Sequence, residues 1–288
     1  MIGPNRIGAS PLSRASLLAF RVAGYALVAA LFLAPLAWVL ASSLRRPGPL
    51  YQYASPLSWR LFIPDRPTLA NFAHALTSLG MDRALRNTAF VAVTTALAGL
   101  VVNSMAGFAL AALSFPGKNM VFAAVMVAFM APFDAIVIPL HRAVSSMGLV
   151  NSWAALILPA VGNGMAIFLF RQFYHEYPKE ILEAARVDGA SWLRLFWQVV
   201  LPSSGPALAA AAVLIFMHQW NSLFWPLVAA YSEKYTMAQV IVASQIAVDG
   251  TRWASLFATS VLSSIPPMML FFLLQKHYLR GIGGFGGN

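Results

Sequence analysis

Few side chains in this chain are equipped for chemistry, and most of those lie inside apolar runs. Asp134 is the only carboxylate within a long apolar segment. A charge at membrane depth is expensive, so such a residue is a functional candidate. It also sits between Pro132 and Pro139, where broken helix ends leave N–H groups for a carboxylate to accept. His218, Gln219 and Asn221 cluster in a second apolar run, with Trp220 among them and Trp225 just beyond. These polar groups can line a path for a solute or hydrogen-bond neighbouring helices. Either tryptophan can stack on a ring or simply pack. Asn163, between Gly162 and Gly164, combines a site for close helix approach with a ligand contact.

Catalytic signatures are absent. A phosphate-binding loop needs G-x-x-x-x-G-K-[ST], but around Gly117-Lys118 the first glycine is replaced by Ala112 and the hydroxyl residue by Asn119. There is no H-E-x-x-H, no G-x-S-x-G and no cysteine, and the five histidines are dispersed. The expectation is a non-enzyme with no catalytic residue, no metal ligand and no cofactor of its own.

Composition sets the medium. Hydrophobic residues make up 59% of the 288 and charged ones only 10%, with a mean hydropathy of +0.71. That is not a soluble domain. The net charge of +10 comes from 19 Lys+Arg against 9 Asp+Glu. These cations are scattered over the connections between apolar segments, a pattern suited to anionic lipid rather than nucleic acid.

A helix needs about 20 apolar residues to cross a bilayer. Six segments qualify, at about 22–44, 84–113, 119–140, 154–173, 207–228 and 253–274. The first is too long for the apolar core of a signal peptide, about 7–15 residues, and reads as a retained span. The prediction is an all-α polytopic membrane protein with six spans in one domain and both termini on one side. Asn87, Asn103, Ser104 and Gly107 mark the second span as interior to the bundle. The aromatics Tyr51, Tyr53, Trp59 and Phe62, in a proline-rich loop over 45–86, suit an interfacial position.

The connection 174–206 is the long polar interruption in the second half. In Tyr177–Pro206, Pro178 suits a first helical position, and Glu180 and Glu183 complement the positive end of the helix dipole. Lys179 and Glu183 share a face. Asp188-Gly189 stops the helix, because glycine accepts the left-handed conformation. Ser191 can cap a second helix, with Leu193, Phe196, Trp197 and Val200 on one apolar face, ended by Leu201-Pro202. By itself this is a pair of short helices resting on lipid headgroups or a docking element for another protein. Ala184, Ala185 and Gly189 allow close backbone approach, and Glu183 offers an acceptor for an arginine.

The order Glu183-Ala184-Ala185, three residues, Gly189, nine residues, Val199, one residue, Leu201-Pro202 resembles the EAA motif of ABC importer permeases. FLFRQF at Phe168–Phe173, GLVNSW at Gly148–Trp153 and FPGK at Phe115–Lys118 resemble the second permease subunit of carbohydrate importers of the maltose and glycerol-3-phosphate type. The resemblance runs from the first span to Gly281. It implies a bacterial inner-membrane protein with both termini cytoplasmic and a cytoplasmic coupling helix between spans four and five. Partners would be a second, similar permease, two ATPase subunits carrying ATP and Mg, and an extracytoplasmic solute-binding protein, within membrane lipid. The ATPases would dock on Glu183, Ala184, Ala185, Asp188, Gly189, Leu201 and Pro202. The solute path would draw on Asp134, Asn163, His218, Gln219 and Asn221. A glycerol-phosphate importer and an ion-coupled carrier are the competing readings, the latter disfavoured because Asp134 stands alone among carboxylates. Charge does not set the orientation: ten Lys/Arg would face inward and nine outward, so the positive-inside rule decides nothing. The glycine-rich end, Gly281 to Asn288, resembles tails that reach toward the ATPase, or is simply a disordered end.

Overall fold

The computed structural model describes residues 11–46, 48, 58–246 and 252–283, with side chains for 17–46, 48, 58–246 and 252–275. Tyr51 and Tyr53 of the first loop, and residues 284–288 of the tail, lie outside the described residues.

Every regular element among the described residues is helical. The order is α1 (Pro11–Ser43), α2 (Ala70–Thr77), α3 (Met81–Ala112), α4 (Lys118–Met130), α5 (Phe133–Ser146), α6 (Trp153–Val161), α7 (Gly164–His175), α8 (Lys179–Val187) and α9 (Trp192–Leu195). A π turn (Phe196–Val200) then leads to α10 (Leu201–Ser203), α11 (Gly205–Trp220), α12 (Phe224–Ala229), α13 (Ala238–Ser244) and α14 (Trp253–Gly283). Four stretches are long and apolar enough to cross a membrane: Leu17–Ser43, Met81–Ala112, Trp153–His175 and Trp253–Gln275. Two bent pairs, α4 with α5 at 103° and Trp192–Ser203 with α11 at 84°, raise the count to six if each is one span.

The breaks have local causes. The apolar run expected as one straight span over 119–140 is split at Ala131, whose ψ of 129° is extended. The ring of the following Pro132 disfavours the helical region for the residue before it. The run over 154–173 is interrupted at Gly162-Asn163, both extended, and restarts at Gly164. The run over 207–228 ends its main helix at Trp220 and resumes as the short α12.

The bundle is built around α3. Asn87, Asn103, Ser104 and Gly107 are all buried on it. α7 crosses α3 so closely that a Cβ on Gly107 would meet the Phe170 Cβ at 2.5 Å and the Arg171 backbone N at 2.9 Å; only glycine permits that approach. A buried polar joint ties the same helices together. Asn103 Nδ2 donates to Gly99 O (2.6 Å) and Val161 O (2.8 Å), and its Oδ1 accepts from Asn163 N–H (2.9 Å). The carbonyl and N–H exposed by the 162–163 break are thus satisfied inside the protein, as lipid requires. α1 lies along α14, with Trp38 edge-on to Phe257 at 5.4 Å. Its apolar side chains, such as Leu17, Phe20, Leu27 and Phe32, stand outside the bundle.

Candidate functional site

The polar stretch forms an elbow. Pro178 sits one residue ahead of α8 as its cap rather than inside its first turn. The helix closes on Gly189, at φ +80°, through Ala190 N–H to Ala185 O (3.0 Å) and Gly189 N–H to Arg186 O (3.1 Å). That paired closure is the glycine C-cap that the dipeptide predicted. Arg186 fastens the bend, donating from Nη1 to Ala190 O at 2.8 Å and stacking over Trp192 at 4.8 Å, a cation–π contact. Ser191 Oγ accepts from Arg194 N–H at 3.2 Å and caps α9.

Two faces of α8 separate cleanly. Leu182 and Ala185 pack toward the core. Glu180, Glu183, Ala184 and Val187 face outward, with Val187 87% exposed. Lys179 and Glu183 form no ion pair; those among the described residues are Arg60–Asp65 and Arg86–Asp82. The Glu183 carboxylate is therefore open to a partner. Asp188 and Gly189 are likewise exposed at the bend.

The second arm differs from the expected apolar face. Leu195, Phe196 and Val200 are buried, whereas Leu193 and Trp197 are exposed. Leu201 N–H bonds Phe196 O, five residues back. This wider turn shifts which side chains share a face. The helix also runs through Leu201-Pro202 to Ser203 instead of stopping there. Pro202 has no N–H to give Gln198 O, and the π turn relaxes the clash at that point. The next carbonyls along are met by hydroxyls: Ser203 Oγ lies 3.0 Å from Val199 O and 2.8 Å from Val200 O, and Ser204 Oγ donates to Val200 O (2.5 Å). Tyr177 OH lies 3.0 Å from Ser203 Oγ, joining the two ends of the elbow. Phe196 packs against Phe108 at 5.4 Å, and Phe108 against Tyr174 at 5.8 Å, seating the elbow on α3 and α7.

The intramembrane candidates part company. Asn163 caps α7, its Oδ1 accepting from Ala166 N–H at 3.0 Å, and it is buried against Asn103. Gln219 is buried and donates to Leu156 O at 3.2 Å. Trp225 Nε1 donates to Ala155 O at 2.8 Å. Trp220 Nε1 donates to Ser263 O at 2.9 Å, the carbonyl that Pro267, four residues on, cannot reach. The Gln219, Trp220 and Trp225 side chains join helices, while the Asn163 side chain caps its own and its backbone N–H bonds Asn103. Asp134 is exposed in the first turn of α5 and has no side-chain hydrogen bond among the described residues.

His218 and Asn221 instead come together on the wall of a cleft of ≈ 450 Å³, opposite Phe133 and beside Phe224 and Trp225. A second cleft of ≈ 340 Å³ adjoins it, lined by Gln239 of α13 and by Ser260, Ser263 and Ser264 of α14. Neither lining contains a Lys, Arg, Asp or Glu. The second cleft was not legible in the sequence, because its serines look like ordinary small residues of a span.

Residues 99–283 match the family described as binding-protein-dependent transport system inner membrane component. The chain is 33% identical over 267 residues to the arabinooligosaccharides transport system permease protein AraQ of Halalkalibacterium halodurans, covering 92% of this chain and 95% of that one. It is 32% identical over 200 residues to the sn-glycerol-3-phosphate transport system permease protein UgpE of Yersinia pestis, covering 69% and 71%. A solved bacterial ABC transporter, involved in the import of the acidic polysaccharide alginate, shares the fold with a TM-score of 0.76 at 22% identity, over 94% of this chain and 99% of that one. The chain belongs to the family of binding-protein-dependent transport system inner membrane components. It is a helical membrane permease of the ABC importer class, a class that works with an ATPase and a solute-binding protein.

Proposed function

We propose that this chain is one of two translocation subunits of an importer for a neutral carbohydrate, and that the His218–Asn221 cleft is part of the solute path. The observation that carries the reading is the cleft chemistry. A phosphate or carboxylate solute calls for a guanidinium, an ammonium or a nest of backbone N–H groups. The two adjoining clefts offer amides, hydroxyls, one imidazole and aromatic faces instead, which suit an uncharged polyol. That favours a sugar over glycerol phosphate.

The elbow supplies the drive. Two ATPase subunits, holding ATP and Mg, dock on the exposed face of α8 and the bend at Asp188-Gly189. Leu201 and Pro202 pass the motion on to α11. That helix has 16 residues, so at about 1.5 Å per residue it spans roughly 24 Å. It carries the elbow at one end and His218 and Asn221 at the other. Tilting it re-aims the cleft, as alternating access requires. In this reading there are six spans, a second similar permease completes the pathway, both termini are cytoplasmic in the bacterial inner membrane, and no cofactor or catalytic group resides in this chain.

The test uses the assembled transporter with its binding protein in liposomes. Neutral sugars are expected to stimulate ATP hydrolysis. Stimulation by sn-glycerol-3-phosphate alone would overturn the neutral-solute assignment. Glu183→Lys and Gly189→Pro are expected to abolish transport in protein that still inserts. Unchanged ATPase co-purification in both variants would remove the docking role.

A further inference from the structure

Resting on the carbohydrate reading, we propose that Gln239 and Ser263 form a second sugar-hydroxyl subsite, and that Met217 and Asn221 are the movable partition closing it off from the His218 cleft. Four observations carry this. The two clefts share only Met217 and Asn221 in their linings. The Gln239 amide behind the partition is loosely held: its Nε2 is 3.5 Å from Asn221 Oδ1 and 3.3 Å from Ser263 Oγ. Both lie beyond the usual 2.7–3.2 Å, so a ligand hydroxyl can replace either at little loss. Methionine is unbranched and adapts to new packing. The Asn221 amide donates to Met217 O, close by in its own segment, and its hydrogen bond to another element is the long one from Gln239, so the polar part of the partition is weakly held.

The chemistry of the second cleft fits a polyol. Ser260 and Ser264 donate to carbonyls of their own helix, Leu256 O and Val261 O, which leaves their oxygens free to accept. Gln239 then supplies donors and a carbonyl acceptor, and a sugar hydroxyl needs both. The Ser263 carbonyl is already taken by Trp220, so the wall behind the subsite is fixed while its front can swing. Each cleft falls in the range of small-ligand sites, about 300–1,000 Å³. With the partition displaced the two clefts join through Met217 and Asn221, which gives a longer saccharide contacts that a monosaccharide in the first cleft does not make.

The experiment uses the full transporter with its binding protein in liposomes, and the mono- and trisaccharides of the arabinose and glucose series as probes. Gln239→Leu is expected to lower trisaccharide uptake about tenfold relative to monosaccharide uptake, the loss of one or two hydrogen bonds, with Gln239→Asn restoring most of it. The chain has no cysteine, so Ser263→Cys gives a single thiol. Trisaccharide is expected to slow its alkylation and monosaccharide to leave it unchanged. Equal alkylation with and without a trisaccharide that does stimulate ATP hydrolysis overturns the subsite and leaves the carbohydrate reading standing. Failure of every neutral sugar to stimulate overturns both. If Gln239→Leu does not insert, the thiol protection decides alone.

Discussion

Gly107→Ala tests the crossing on which the elbow is seated. The added Cβ would lie 2.5 Å from the Phe170 Cβ and 2.9 Å from the Arg171 backbone N. Carbon pairs rest at about 3.5–4.0 Å, so α3 and α7 must part by roughly 1 Å. Neither opposing atom is the end of a flexible side chain, so nothing can rotate away, and the cost belongs at the upper end of overpacking, about 3 kcal/mol. Alanine returns about 1 kcal/mol of helix propensity over glycine. The net loss is about 2 kcal/mol, or roughly 3 °C in Tm at about 2.1 cal/mol/K of unfolding entropy per residue. Gly24→Ala is the matched control: it lies within α1 and nothing approaches within 4 Å of its added Cβ, so it is expected to hold or raise Tm. Thermal unfolding of the detergent-purified complex reads both. A Gly107→Ala protein melting at or above Gly24→Ala would refute the close crossing.

Asn103→Leu removes the joint between α3 and the 162–163 break, stranding Val161 O and Asn163 N–H; a loss on the order of 1–3 kcal/mol is expected in the same unfolding assay. Gly189→Val forces a β-branched residue to φ +80° and is expected to cost more than 1 kcal/mol and to lower coupled ATPase activity, while Gly189→Asn, which tolerates that region, keeps most of it. Val187→Asp places a charge on the outward face of α8; ATPase co-purification is expected to fall by tenfold or more with Tm unchanged, since the residue is 87% exposed among the described residues. Trp220→Phe leaves the carbonyl freed by Pro267 without its donor and is expected to lower Tm by a few degrees, corresponding to about 1–3 kcal/mol.

Much of the elbow was readable from residue types. Gly189, Ser191 and the outward Glu183-Ala184 pair stand as local rules place them, because capping and helical spacing depend on neighbours within five residues. Val187 was readable too, three residues from Ala184 and four from Glu183, and was overlooked because valine suggests a core. The apolar face of the second arm was misread at Leu193 and Trp197. A 3.6-residue period does not anticipate a π turn, which arises here where Pro202 withholds its N–H.

The linear chain determined the helical class, the membrane as solvent, the polar interruption and its glycine stop, since each follows from composition or from contacts a few residues long. Folding decided which polar groups are left for a solute. The Asn163 backbone N–H and the Gln219 side chain bond to groups about sixty residues away, Asn103 and Leu156, and the Trp220 indole to Ser263 forty-three residues on. His218 and Asn221 look the same on paper but face open space. Where water is excluded, a buried donor or acceptor is costly to leave unpaired, and only the three-dimensional arrangement says which of them already has a partner.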